Sequence, residues 1–216
     1  MTLEADLRQG AQALGVALNQ QACQKLMDYL ALLQKWNKVY NLSAIRDPQE
    51  MLVKHLLDSL AVVPVLQQAA PKSLIDVGTG GGLPGIPLAI MFPDMAVSLL
   101  DSNEKKTRFL VQVKAQLALA NVRVLHTRVE DHSEQYDAVI SRAFTALDNF
   151  VELTAPLLAQ NGTWWAMKSQ NLPAEMQALS ADVTLKKVYE LQVPGLDAER
   201  YLVALEKTSK TLQGAR

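Results

Sequence analysis

Residues 74–88 read LIDVGTGGGLPGIPL, and the fold follows from them. Leu74 and Ile75 are apolar and lead into Asp76. Gly78, Gly80, Gly81 and Gly82 then fall within five positions. The segment Leu83-Pro84-Gly85-Ile86-Pro87-Leu88 has the composition of a helix opening. Together these make a strand, a glycine loop and a helix, the first unit of a nucleotide-type α/β site. Glycine reaches positive φ without strain and lets a ligand approach bare backbone. Pro84 suits a first helical turn, where its missing N–H costs nothing. Pro87 also falls within that turn, before intrahelical N–H bonds are required.

The loop spells two patterns. Gly80, Gly82 and Gly85 form G-x-G-x-x-G, a dinucleotide fingerprint. Asp76, Gly78, Gly80 and Gly82 form D-x-G-x-G-x-G, the pattern of S-adenosylmethionine (SAM) methyltransferases. Charge separates them. A carboxylate beside the loop repels a pyrophosphate, whereas SAM carries a cationic sulfonium and an ammonium that an acid attracts. On this reading Asp76 and Gly80 belong to the cofactor site, with Gly80 against the methionine part.

The 216 residues amount to one large domain or a domain with an appendage. Lys and Arg total 21 against 22 Asp and Glu. A nucleic-acid partner therefore has to be met by a local basic face rather than by net charge. A single cysteine, Cys23, excludes a disulfide framework and a cysteine metal cluster. His55, His126 and His132 show no ligand spacing, and no metal is expected. No run of about 18 apolar residues predicts a membrane span. The N-terminus MTLEADLRQG lacks an apolar signal region. A cytoplasmic protein, monomeric and away from membranes, is the expectation.

The chain divides by pattern. Residues 1–70 predict an N-terminal helical cap, 71–207 a SAM-binding domain, and 208–216 a frayed tail. Leu3, Leu7, Ala11 and Leu14 have helical spacing. Asn19 predicts the N-cap of a long second helix whose inner face holds Ala22, Leu26, Leu30 and Leu33, with Cys23 at the core. Asp47-Pro48 starts a third helix, which carries His55. From Ser73 strands and helices alternate. Strands are expected near 73–77, 97–100, 122–126, 138–141 and 163–167, and two more on either side of Pro194-Gly195. Helices are expected near 84–92, 104–119 and 147–159, with a turn at Asn161-Gly162. Seven strands, six parallel and one reversed, make a Rossmann-like mixed sheet of the class I methyltransferase type.

In such sheets the ligand lies off the carboxyl ends of the strands, at the switch point. Those ends carry Asp76, Asp101, His126 to Glu130, Arg142 and Lys168. Asp101 suits both hydroxyls of a ribose, whether of SAM or of NAD. Val129 and Glu130 can cover an adenine and accept from its amine. After the fourth strand stands Ser141-Arg142-Ala143-Phe144, not the Asn/Asp-Pro-Pro-aromatic corner that serves exocyclic amines. Cys23 lies far upstream, so a pyrimidine carbon has no nucleophile at this site. No Lys-Asp-Lys-Glu set serves a ribose hydroxyl. An acceptor that needs no base, such as guanine N7, fits, and catalysis is then by placement. Arg142, just past the strand, is expected to bridge cofactor and acceptor. Lys105, Lys106, Arg108, Arg123, Arg128 and Lys168 gather near this rim; Lys35, Lys38, Arg46 and Lys54 come from the N-terminal part. With Trp36, Tyr40 and Phe144 they can hold RNA phosphates and stack a base. His55 is either a structural histidine or part of the ligand face.

These residues resemble the bacterial 16S ribosomal RNA guanine-N7 methyltransferases of the RsmG type, also called glucose-inhibited division protein B. The resemblance rests on Lys35-Trp36-Asn37, Tyr40-Asn41-Leu42, Arg46-Asp47-Pro48, His55-Leu56-Leu57-Asp58-Ser59-Leu60, the glycine loop, Asp101-Ser102, Lys105-Lys106, Arg108-Phe109-Leu110 and Ser141-Arg142-Ala143-Phe144. It implies SAM as donor, S-adenosylhomocysteine (SAH) as product, and a guanine in the 530 stem-loop of 16S rRNA of the small ribosomal subunit as acceptor. It implies cofactor contacts at Gly78, Leu83, Val129, Glu130 and Arg142. The chain has Lys105-Lys106 where the family often has Lys-Arg, and Lys168-Ser169 where Lys-Gly is usual. Two other readings compete with this one: an NAD-linked oxidoreductase, and a non-catalytic ribosome-assembly factor on a SAM fold.

Overall fold

The computed structural model describes residues 2–169 and 172–208. Seven strands form one sheet in the order β3-β2-β1-β4-β5-β7-β6. They are β1 (Ser73–Val77), β2 (Ala96–Asp101), β3 (Val122–His126), β4 (Tyr136–Arg142), β5 (Leu158–Lys168), β6 (Val183–Glu190) and β7 (Tyr201–Lys207). β1 to β5 pair in parallel; β7 runs antiparallel to both β5 and β6. Six strands therefore share one direction and β7 is reversed, as the sequence predicts. The order reverses between β1 and β4, which puts the switch point beside the glycine loop.

Alternation along the strands builds two cores. Leu74, Leu99, Ala138, Ile140 and Met167 face one side, and Ile75, Val77, Val139 and Ala166 face the other. The first side is covered by α1 (Leu3–Ala13), α2 (Gln20–Tyr40), α5 (Val63–Ala69), α6 (Gly85–Met91) and α7 (Glu104–Gln116). The second is covered by α8 (Leu147–Thr154) and α9 (Leu172–Gln177). Leu7, Leu26, Leu30 and Leu33 are fully or almost fully buried in the same core as the sheet. The N-terminal helices thus form a layer of the core. Asn19 caps α2 by accepting from the amide of Ala22, and Cys23 is buried.

The third helix departs from expectation. It begins at Asp47-Pro48 as α3 (Pro48–Met51), widens to a π-helix over Leu52–Leu57, and closes as α4 (Asp58–Leu60). Such π segments often mark functional sites. Pro84 does not open α6; it is the N-cap, after a cis Leu83–Pro84 peptide, and the helix starts at Gly85. The turn expected at Asn161-Gly162 lies inside β5. The pairing slips between Tyr136↔Leu158 and Ala138↔Thr163, and this irregularity absorbs both residues. α8 stops at Thr154 because Pro156 follows, and a 3₁₀ turn Ala155–Leu157 replaces its expected end. Most of the expected tail at 208–216 lies outside the described residues.

Candidate active site

The loop after β1 is held from below. Asp76 is fully buried. Its Oδ2 accepts from the Thr79 hydroxyl at 2.7 Å and the Gly85 amide at 2.8 Å, tying the loop to the first turn of α6. Its Oδ1 is buried with no hydrogen-bond partner among the described residues. Burial raises the carboxyl to about 7, against the pull of Thr79, Gly85 and the Arg142 charge. The sequence reading has Asp76 attract the positive groups of the cofactor; in the structure its side chain braces the loop from inside. Gly78, Gly80 and Gly82 all have positive φ. A Cβ on Gly78 would clash with the Phe144 ring, so backbone and aromatic meet there without a side chain between. The loop is also held from α2: the Tyr29 hydroxyl donates to the Gly81 carbonyl at 2.6 Å.

Two clefts open beside this loop. The first, about 470 Å³, is walled by Gly78, Asp101, Lys106, Arg128, Val129, Glu130 and Phe144 among others. Asp101 ends β2 and is 6% exposed. Its Oδ2 accepts from the Gly80 amide at 2.9 Å, its Oδ1 from the Asn103 amide at 2.9 Å, and the Lys106 ammonium stands 3.6 Å away. Val129 and Glu130 begin a 3₁₀ turn after β3. Gly80 and Leu83 are not among the walls; Leu83 is 6% exposed and its amide donates to Thr79.

The second cleft, about 430 Å³, includes Ile45, Lys54, His55, Asp58, Arg142, Lys168, Glu175 and Arg200 in its walls. Ala143 belongs to both clefts and takes positive φ, +53°, at the corner between them. Arg142 Nη1 donates to the Lys54 carbonyl at 2.8 Å and to Asp58 Oδ2 at 2.9 Å. Arg142 therefore lines the second cleft, while its charge reaches Asp76 beneath the loop. His55 is 6% exposed; its Nε2 shares a hydrogen bond with the Ser43 hydroxyl at 2.8 Å, and Nδ1 has no hydrogen-bond partner among the described residues. Burial, then the Arg142 charge, lowers its pKa to about 4, so the ring is neutral near pH 7.

The basic residues divide. Lys105 is exposed on α7, Arg108 pairs with Glu104 at 2.6 Å, and Arg46 donates to Asn41. Arg128 lines the first cleft. Arg123 is corrected: it is the second residue of β3, paired with Glu134, away from the carboxyl ends of the strands. The Lys168 ammonium donates to the Thr145 carbonyl at 2.7 Å and pairs with Glu175 at 2.6 Å, which commits it to holding the segment after β4. Trp36 stacks on Tyr40, with centroids 5.2 Å apart, and also packs on Phe109. Sequence reasoning missed Tyr29, Glu175 and Arg200 at the site, and named Asp58 only within a motif. Asp58 and Arg200 are 142 positions apart, so no spacing signal links them.

A doubly wound seven-stranded sheet with β7 reversed and a glycine loop at its switch point is the class I SAM methyltransferase fold. Solved structures agree in fold. Magnesium protoporphyrin IX methyltransferase from Synechocystis PCC 6803, solved with bound SAM, aligns with TM-score 0.61 at 18% identity, over 88% of this chain and 99% of that one. The N-methyltransferase NodS from Bradyrhizobium japonicum WM9, in complex with SAH, aligns with TM-score 0.59 at 11% identity, over 82% and 98%. The chain belongs to the rRNA small subunit methyltransferase G (GidB) family, whose sequence pattern matches residues 22–203. Ribosomal RNA small subunit methyltransferase G of Hydrogenovibrio crunogenus is 56% identical over 209 residues, 96% of this chain and 95% of that protein. Its counterpart in Ectopseudomonas mendocina is 50% identical over 205 residues, 94% and 95%.

Proposed function

We propose that this protein transfers a methyl group from SAM to N7 of a guanine in the 530 stem-loop of 16S rRNA, acting as a cytoplasmic monomer. The observation that carries this reading is the pair of clefts meeting at Ala143, within a chain that matches the family along almost its whole length. The first cleft suits the cofactor. Gly78 offers bare backbone, Asp101 offers two oxygens to ribose hydroxyls, and Val129 with Glu130 offers an adenine wall. SAM, when bound, supplies an electrophilic methyl on a cationic sulfur.

The second cleft suits the acceptor. Guanine N7 has a free lone pair, so no side chain has to remove a proton. His55 is neutral, but its Nε2 is already committed to Ser43. The chain's own contribution is to orient a base and exclude water at the corner formed by Ala143 and Phe144. Arg142 lines the second cleft, next to the Ala143 that both clefts share, and from there can address both. Lys106 and Arg128 at the first cleft, Lys54 at the second and the exposed Lys105, Arg108 and Arg46 offer charge to RNA phosphates. Lys168 acts at one remove, by fixing the Thr145 carbonyl.

The test is transfer of labelled methyl to small ribosomal subunits that lack the modification, with mass mapping of the product nucleoside. A 7-methylguanosine in the 530 stem-loop is expected, together with a rise in melting temperature with SAM and none with NAD. Stabilisation by NAD would return the oxidoreductase reading. Stabilisation by SAM without methyl transfer would favour an assembly factor.

A further inference from the structure

Asp58 stands out in the acceptor cleft. It opens α4, right after the π-helical turn, and is 2% exposed. A buried carboxylate has to be compensated, and this one is compensated twice. Oδ2 accepts from Arg142 Nη1 at 2.9 Å and Oδ1 from Arg200 Nε at 3.0 Å. The two arginines come from the end of β4 and from the residue before β7. One carboxylate thus brings three distant parts of the chain to a single point in the wall of the cleft.

The remaining donors matter more than the bonds made. A guanidinium has five N–H donors in a planar fork. Arg200 spends Nε on Asp58 and Nη1 on the Glu199 carbonyl, and Nη2 has no partner among the described residues. Arg142 spends Nη1 alone, leaving Nε and Nη2. Such an arrangement fits an oxygen-rich anion. Direct reading of guanine by arginine usually engages O6 and N7 together. Under the function proposed above N7 must keep its lone pair for the methyl group, so an arginine fork cannot take that edge. A phosphate of the acceptor strand has no such conflict.

We infer that Asp58 is a positioning residue, which holds Arg142 at the junction of the two clefts and Arg200 beside it, so that the free edge of Arg200 grips a backbone phosphate next to the acceptor base. This rests on the rRNA reading for its ligand, and its test is a binding measurement that needs no methyl transfer. The probe is small ribosomal subunits lacking the modification, titrated with the full chain in the presence of SAH at several salt concentrations. Arg200→Gln removes one partly buried guanidinium and leaves the Asp58–Arg142 bond. It should weaken subunit binding about tenfold, flatten the slope of log affinity on log salt by about 0.7, and leave SAH affinity within twofold. Asp58→Asn keeps size but can accept from only one arginine. It should weaken subunit binding to the same extent, and Arg200→Gln should add nothing on that background.

Additive losses in the double variant would mean that Asp58 supports the fold without aiming Arg200, and would overturn the inference. So would unchanged subunit affinity and salt slope in Arg200→Gln. If the wild-type chain binds subunits but never methylates them, the proposed activity fails while this placement is still decided by the same titrations.

Discussion

Asp76 and His55 are both buried, and their shifts have opposite sign. Asp76 titrates near 7 in the folded chain, above the ordinary carboxylate value. Folding therefore takes up a proton between about pH 4 and 7, and the stability this gives is whole below about pH 4 and lost as pH rises through 7. His55 titrates near 4, below an ordinary histidine. Its neutral ring contributes stability that is whole above about pH 6.5 and lost as pH falls through 4. Between about pH 4 and 6.5 the two oppose each other, so the wild-type chain should show little slope from this pair. Asp76→Asn removes one arm. Its urea midpoint, compared with wild type, should improve from pH 5 to pH 8; a gap independent of pH would mean that Asp76 stays ionised in the fold. His55 bears on chemistry as well. If the acceptor is N7, His55→Gln should leave single-turnover transfer at saturating SAM and RNA within about threefold of wild type near pH 7.5, where the ring is already neutral. A general base typically contributes about 10²–10⁴-fold where a proton must leave. A loss of that size in His55→Gln would demand an amine or hydroxyl acceptor instead.

At the scale of elements, the glycine loop is only as rigid as what supports it. The Tyr29 hydroxyl reaches from α2 to the Gly81 carbonyl through a fully buried contact, and burial raises the phenol further above its ordinary range. Tyr29→Phe leaves that carbonyl without its tyrosine partner, and an unsatisfied buried group costs about 1–3 kcal/mol. Part of that loss should appear as weaker SAH binding in calorimetry, because the carbonyl belongs to the loop. Unchanged SAH affinity with a lowered melting temperature would make Tyr29 structural only. Local chemistry explains which elements were legible. Asn19 capping α2, Pro48 opening α3 and the apolar runs of β1, β2 and β4 each follow from a few neighbouring residues, so pattern reading finds them. Asp101 and Arg142 were legible as strand-end residues that line the clefts, because a parallel sheet opens its crevice at the carboxyl ends of its strands. The π-helix over Leu52–Leu57 was not legible, because its sequence LVKHLL reads equally well as α-helix. Pro84 falls one residue outside α6, a boundary finer than local propensity fixes. Asn161-Gly162 looks like a turn locally, and only its pairing against β4 draws it into β5.

At the scale of the whole molecule, the division at residue 70 has to be judged by where the core lies. Composition separates a helical N-terminal part from a β/α part, and that reading treats residues 1–70 as a cap. The apolar contacts do not divide there. Leu7, Leu26, Leu30, Leu33 and Leu56 belong to one cluster with Leu74, Leu99, Ile140 and Met167 of the sheet. Removing the N-terminal layer would open this face of the sheet to water. Each large apolar side chain left exposed forfeits about 1.5–3 kcal/mol, and five such positions already match a typical total stability of about 5–15 kcal/mol. The same cut removes Tyr29 from beneath the glycine loop and Asp58 from between the two arginines. A chain beginning at Pro71 should therefore be insoluble or lack cooperative unfolding, and SAM should not rescue it. Circular dichroism melts and proton NMR dispersion of that fragment, with and without SAM, decide the matter. A soluble fragment with a cooperative melt that SAM raises would show that residues 71–207 fold as an independent domain and that the helices are an appendage to it.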